Sequence, residues 1–194
     1  MSKKHDIPPR DKRSKVDLEL FVLALVQRDV NTPYAMLATA GLSPGATLPV
    51  LNRLEKAGLV RKGKPGARGR MEFEVTASGR QQLKVGWRPL LESPAQGDIE
   101  SILRIVALSV LSQADKKMVL DFLESARTSK VKDALRRKSE AKAAKDSLSN
   151  ESDTGLYAWM QATHAAARLA SEAKVLRQLA SAIKRRTGKS VTPA

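Results

Sequence analysis

Apolar and polar positions follow two rhythms along the chain, and the rhythm changes near residue 97. From Asp17 the run DLELFVLALVQRD has helical spacing, with Leu18, Phe21, Val22, Leu25 and Val26 on one stripe and Asp17 available as an N-cap. Asn31 or Thr32 can cap a second helix whose first turn accommodates Pro33. Tyr34, Leu37 and Ala38 are expected to face inward, and Gly41 to stop it. A third helix is expected from Ser43 as N-cap, with Pro44 at its first position and GATLPVLNRLEKAG following. Turning about 100° per residue with Leu51 at the core, Leu48 and Leu54 fall inward. Gly45, Ala46, Pro49, Arg53 and Lys56 fall outward, with Asn52 on the flank. Pro49 lacks the N–H that would close a helical bond, which predicts a bend or a late start.

Gly58 ends this helix and the period drops to two. Leu59 and Val60 begin a strand, and Met71, Phe73 and Val75 alternate with Glu72, Glu74 and Thr76 in a second strand with one buried face. The segment between them, Arg61 to Arg70, makes a hairpin whose tip carries five basic residues and no acid. A charge run alone is usually a solvated loop. Three short helices followed by a hairpin with a basic tip are the layout of a winged helix-turn-helix, in which the third helix enters a major groove and the wing touches flanking backbone.

Beyond Gly97 the chain turns helical for a long stretch, with Gly155 the single glycine and no proline before Thr187. Ser93-Pro94-Ala95-Gln96-Gly97 is expected to be the joint. Ile99, Ile102, Leu103 and Val106 form one apolar face, Met118, Val119, Phe122 and Leu123 another, and a basic helix is expected over Lys130 to Leu148. A break is expected near Gly155. After it, Trp159, Ala166, Ala173 and Ala180 recur every seven residues, as do Ala162, Leu169, Leu176 and Ile183, which is a heptad seam. The seam needs a partner, either a helix of the same chain such as Lys130 to Leu148 or a second copy across a two-fold axis, and both can hold at once.

Composition narrows the chemistry. The chain of 194 residues has 35 Lys and Arg against 20 Asp and Glu, a net charge of +15 shared by both halves, which favours a polyanionic partner. Cysteine is absent, so disulfides, thiolate metal sites and cysteine nucleophiles are excluded. The longest apolar run, Leu20 to Val26, has seven residues, far short of the roughly 18 that a span requires, so no membrane partner is expected. The first fifteen residues hold six basic and two acidic side chains and no apolar stretch, so a basic flexible arm is expected rather than a secretory signal, and a cytoplasmic location with it.

The run from Leu42 to Val60, LSPGATLPVLNRLEKAGLV, resembles the recognition-helix signature of PadR-like transcriptional regulators. Gly69-Arg70, Phe73 and the exit Val75-Thr76-Ala77-Ser78-Gly79-Arg80 resemble that family's wing, and Tyr34 stands where the family carries a tyrosine. Thr32-Pro33 replaces the family's His-Gly, and Leu48 replaces a tyrosine before the helix proline. The resemblance covers roughly residues 17–92 and implies a homodimeric DNA-binding repressor or activator. A coarser likeness extends to the second half, which matches in order the dimerisation helices of longer family members. The expected fold is mostly α: a winged helix-turn-helix domain over 16–94, after an arm over 1–15, and a coiled-coil dimerisation region over 98–187. Double-stranded DNA is the expected partner, in a pseudo-palindromic site. Phosphate contacts are expected from Lys62, Lys64, Arg68, Arg70, Ser43 and Tyr34, and base contacts from Thr47, Asn52 and Arg53. Ala162, Ala166, Leu169, Ala173, Leu176, Ala180 and Ile183 are the expected dimer seam. Family members often respond to small aromatic or hydrophobic effectors at the dimer interface, for which Trp87 and Trp159 are candidates by residue type, core packing being their alternative role. The competing function is a winged module that binds an acidic protein or scaffolds an assembly.

Catalytic patterns do not assemble. Gly41-Leu42-Ser43-Pro44-Gly45 fits the G-x-S-x-G elbow, but a helix is expected before it instead of a strand. Gly188-Lys189-Ser190 has Ile183 where a phosphate-binding loop needs glycine. Ser139 with Lys142, and Ser171 with Lys174, lack companion motifs. His5 and His164 alone make no metal site. No enzyme activity and no cofactor are expected.

Overall fold

A computed structural model of the chain describes residues 12–63, 71–92, 97–146 and 153–186. The arm over 1–11, the hairpin tip over 64–70 with Lys64, Arg68 and Arg70, most of the 93–97 joint, and Gly188-Lys189-Ser190 lie outside the described residues. The described chain is mostly helical with one small antiparallel sheet, in the order α1 (Lys12–Gln27), α2 (Pro33–Ala40), α3 (Pro44–Lys56), β1 (Val60–Lys62), β2 (Phe73–Val75), α4 (Ala77–Gly86), α5 (Arg88–Glu92), α6 (Ile99–Leu111), α7 (Lys116–Asp146) and α8 (Asp153–Arg185). It divides into two compact units, residues 1–90 with 100–114 and residues 91–99 with 115–194. The boundary expected at 94–98 therefore moves: α6 from Glu100 onward belongs with the first unit.

In the first unit α1 is the central element. Leu20 to Val26 are all buried, on every face of the helix, because α3, α4 and β2 pack around it. A single apolar stripe was the expectation; a helix enclosed on all sides reads apolar all round. Asp17 is not the N-cap. The helix begins five residues earlier, at Lys12, and Asp17 is fully buried within it. Its carboxylate accepts a hydrogen bond from Ser101 Oγ, and an Arg104 guanidinium nitrogen lies 3.6 Å away, both on α6. A buried carboxylate needs such partners, since desolvation alone would cost several kcal/mol.

The two following helices start where local chemistry predicts. Thr32 Oγ1 accepts from Ala35 N–H at 3.1 Å with Pro33 next, and Ser43 Oγ accepts from Ala46 N–H at 3.3 Å with Pro44 next. Gly41 closes α2 in the left-handed region, with φ 67°. Facing is different from expectation on α2: Met36 is the buried residue, whereas Tyr34, Leu37 and Ala38 are exposed. Pro49 does not delay α3, which runs from Pro44 through it. The carbonyl it leaves without a helical donor is that of Gly45, an exposed residue that water can reach.

β1 and β2 pair antiparallel, with Val60 opposite Val75 and Lys62 opposite Phe73. Val60 and Phe73 supply the buried face, while Met71, expected to continue it, is exposed. Thr76 then caps α4 through Gly79 N–H at 3.1 Å. Gly79 allows the helix to cross the strand: a Cβ there would stand 2.2 Å from the Leu59 carbonyl oxygen.

The second unit is a helical hairpin. The two helices expected around Met118 and over Lys130 to Leu148 are one continuous helix, α7. α7 and α8 lie antiparallel: Lys116 Nζ donates to Lys184 O at 3.0 Å, and Lys130 Nζ meets Glu172 at 2.7 Å fourteen residues along. The heptad positions expected to pair two chains face α7 of their own chain. Ala162, Ala173 and Leu176 are buried and Ala166, Leu169, Ala180 and Ile183 partly so, opposite Phe122, Leu123, Ala126 and Ala141. Alanine at four of the seven named positions lets the two helices approach closely. Among the described residues no helix is long and apolar enough to cross a membrane.

Candidate nucleic-acid interface

The face of α3 turned away from the core is the centre of the candidate site. Thr47, Val50, Leu51 and Leu54 are buried, and Gly45, Ala46, Leu48, Pro49, Asn52, Arg53 and Lys56 are exposed. Val50 shares the core with Leu51, so the buried arc is centred about 50° from the position that Leu51 alone would give. That rotation has two consequences. Thr47, expected to touch bases, is fully buried, and its hydroxyl donates to the carbonyls of Ser43 and Pro44 at 3.2 and 3.4 Å. Leu48, expected inside, is 46% exposed.

The outward face is small at its N-terminal end. Gly41 and Gly58 adopt positive φ, and a Cβ on Gly79 or Gly86 would meet atoms at 2.2 or 2.9 Å. Gly45 has neither constraint: nothing lies within 4 Å of a Cβ built there. The fold itself therefore does not call for glycine at this exposed position. Glycine there lets another surface approach the backbone closely.

The cations around this face are partly engaged. Arg53 Nε donates to Glu19 Oε1 of α1 at 2.6 Å. Lys62 of β1 lies 3.0 Å from Glu55 of α3, and Arg61 forms a forked pair with Glu74 across the hairpin, at 2.9 and 2.7 Å. Arg53 and Lys62, expected to be free for base and phosphate contact, thus enter as ion pairs. All three pairs are solvent-exposed, a setting in which such a pair contributes about 0–1 kcal/mol and exchanges partners readily. Lys56 stands exposed at the C-terminal end of the same face. Ser43 is exposed at its start, with its side chain already used in capping, and Tyr34 is 65% exposed on α2.

No protein-family model matches the chain, and no curated protein matches it.

Trp87 is half-buried at the end of α4, with the Arg88 guanidinium 5.9 Å above its ring, and Trp159 is half-buried on α8. An open cleft of about 510 Å³ in the first unit lies between the ends of α1 and α6 and the side of α4. Arg28, Arg80, Lys84, Gln27 and Gln81 border it, and Trp87 does not. Arg28 reaches across this cleft to donate to Leu111 O at 2.8 Å. His164 is exposed on α8.

Two features of the site escaped the sequence pattern. Leu48 could have been found by counting Val50 as core, which turns the helix. The pairing of Arg53 with Glu19 joins positions 34 apart, and no local signal announces it.

Proposed function

We propose that the chain is a sequence-specific DNA-binding transcriptional regulator of winged helix-turn-helix type, acting as a homodimer on a pseudo-palindromic site. The observation that carries this reading is the outward face of α3, small-sided at Gly45 and Ala46, polar at Asn52 and basic at Arg53 and Lys56, on a helix whose opposite side is core. The element order supports it: α1, α2, α3 and an antiparallel hairpin, in a chain of net charge +15. In this reading α3 lies in a major groove with its outward face, from Gly45 to Lys56, against base edges and backbone. Asn52 is the polar reader, and the basic hairpin contacts flanking phosphates.

Likeness of residues 17–92 to PadR-like regulators supports the same reading. With the heptad face of α8 occupied by α7, pairing of two chains would use other surface. Leu156, Tyr157 and Met160 on α8 and Leu135 on α7 are exposed apolar residues available for it.

Selection from random duplex DNA with the purified chain tests the proposal. The expected result is a two-fold symmetric motif with half-site centres about ten base pairs apart or a multiple of that. Enrichment of no motif overturns it.

One observation favours a second reading, a winged module that binds a protein partner. Tyr34 and Leu37 on α2 and Leu48 on α3 are exposed apolar side chains, the kind that anchors protein interfaces. Failure of the DNA selection is the result this reading expects.

A further inference from the structure

The outward face of α3 holds a chemical bias. Leu48 and Asn52 are one turn apart, so their side chains are neighbours on the same exposed strip, with Gly45 and Pro49 beside them. Lys56, exposed one turn beyond Asn52, continues the strip and can bond guanine, so the bias concerns the step that lies under Leu48 and Asn52. The guanidinium that would bond guanine O6 and N7 belongs to Arg53, which stands on the far flank and is held by Glu19 at 2.6 Å. Thr47, which could have served either base type, is buried with its hydroxyl satisfied inside the helix.

A side-chain amide is the group that bonds adenine N6 and N7 together, and an exposed branched aliphatic group fits the one apolar feature in the major groove, the thymine methyl. We propose that Leu48 and Asn52 read adjacent A·T base pairs in each half-site, Asn52 by hydrogen bonds to adenine and Leu48 by packing on a thymine 5-methyl group. This rests on the DNA-binding reading and adds to it the base composition of the recognised step and a residue that specifies it. It also accounts for a leucine 46% exposed in a helix that has a core to fill. Its side chain loses water only when a methyl group covers it.

The test uses the full chain and the duplex recovered by selection. Each thymine of a half-site is replaced in turn by deoxyuridine, which keeps base pairing and removes only the 5-methyl group. At one position per half-site the wild-type chain is expected to bind the uracil duplex about four-fold more weakly, the worth of one buried methyl. Leu48→Ala is expected to bind the two duplexes equally, since its substitution lies on the surface and leaves the core intact. Replacing the adenine of the adjacent A·T pair by 7-deazaadenine should weaken the wild type and leave Asn52→Ala unaffected. Equal wild-type affinity for every uracil-substituted duplex overturns the Leu48 contact while the DNA-binding reading stands. Binding with no sequence preference, or capture of a protein partner through Leu48 with no duplex bound, overturns both.

Discussion

Arg53 and Glu19 form a 2.6 Å hydrogen-bonded ion pair that ties α3 to α1, on the border of the face proposed to meet DNA. The Arg53 side chain is half exposed and that of Glu19 about one third, so the pair contributes little to stability. Its effect is on availability: a guanidinium committed to a carboxylate is a poorer reader of guanine. Glu19→Gln should release it. The variant is expected to fold with a stability change under about 1 kcal/mol. A repeated DNA selection should then return a guanine in each half-site that the wild-type motif lacks. An unchanged motif would mean that Arg53 does not reach the groove.

Gly45 separates folding from binding. Among the described residues nothing lies within 4 Å of a Cβ built at this position, and its φ lies outside the left-handed region, so a side chain costs the fold little. Glycine to alanine within a helix even favours folding, by about 0.5–1 kcal/mol. Gly45→Leu is expected to keep or raise the urea midpoint while lowering duplex affinity about ten-fold or more, the loss of one good backbone contact. Fluorescence anisotropy on a labelled operator and a denaturation curve read the two effects separately. Undiminished affinity in Gly45→Leu would remove the N-terminal half of α3 from the interface.

Phosphate neutralisation sets the salt response. A dimer covering on the order of 6–10 phosphates should lose roughly 10³–10⁵ in affinity between 50 and 200 mM salt. Arg61 and Lys62 begin in ion pairs with Glu74 and Glu55, so each must exchange a carboxylate for a phosphate on binding. Arg61→Ala should weaken binding to all duplexes alike and reduce the dimer's slope by about two counterions, one per protomer. A change in base preference instead would place β1 against bases.

The parts of the fold legible in the sequence are those fixed by neighbours in the chain. Thr32 and Ser43 cap their helices through bonds to the third residue onward, and Pro33 and Pro44 follow them, so the starts of α2 and α3 could be read directly. What stayed hidden depends on how each helix is turned and covered in the folded chain. Asp17 before an apolar run looks like a cap, yet Ser101 and Arg104 on α6 make it a buried carboxylate. Thr47 looks like a polar reader, yet backbone carbonyls one turn earlier satisfy its hydroxyl and permit burial. In α8 the seven-residue spacing specifies a face that needs covering and carries no information on which helix covers it. Here α7 does, through Leu176 and its neighbours. The candidate site was legible as a helix and less so as a face, because Val50 turns α3 by about half a residue step.

The Asp17–Arg104 pair gives a quantitative check on the first unit. Asp17 is fully buried and the Arg104 side chain is 15% exposed, so neither can turn to bulk water when its partner is lost. Arg104→Leu takes the guanidinium away from a buried carboxylate and should destabilise the unit by about 3 kcal/mol. Asp17→Leu combined with Arg104→Leu replaces the whole pair by apolar groups, and much of that loss should return. Urea unfolding followed by Trp87 fluorescence, in a Trp159→Phe background so that the second unit is silent, measures both. A double variant as unstable as the sum of the singles would show that the two side chains are not coupled. α6 would then owe its place in the first unit to its apolar face, Ile102, Ile105, Val106 and Leu108, and to the Arg28–Leu111 hydrogen bond rather than to the ion pair.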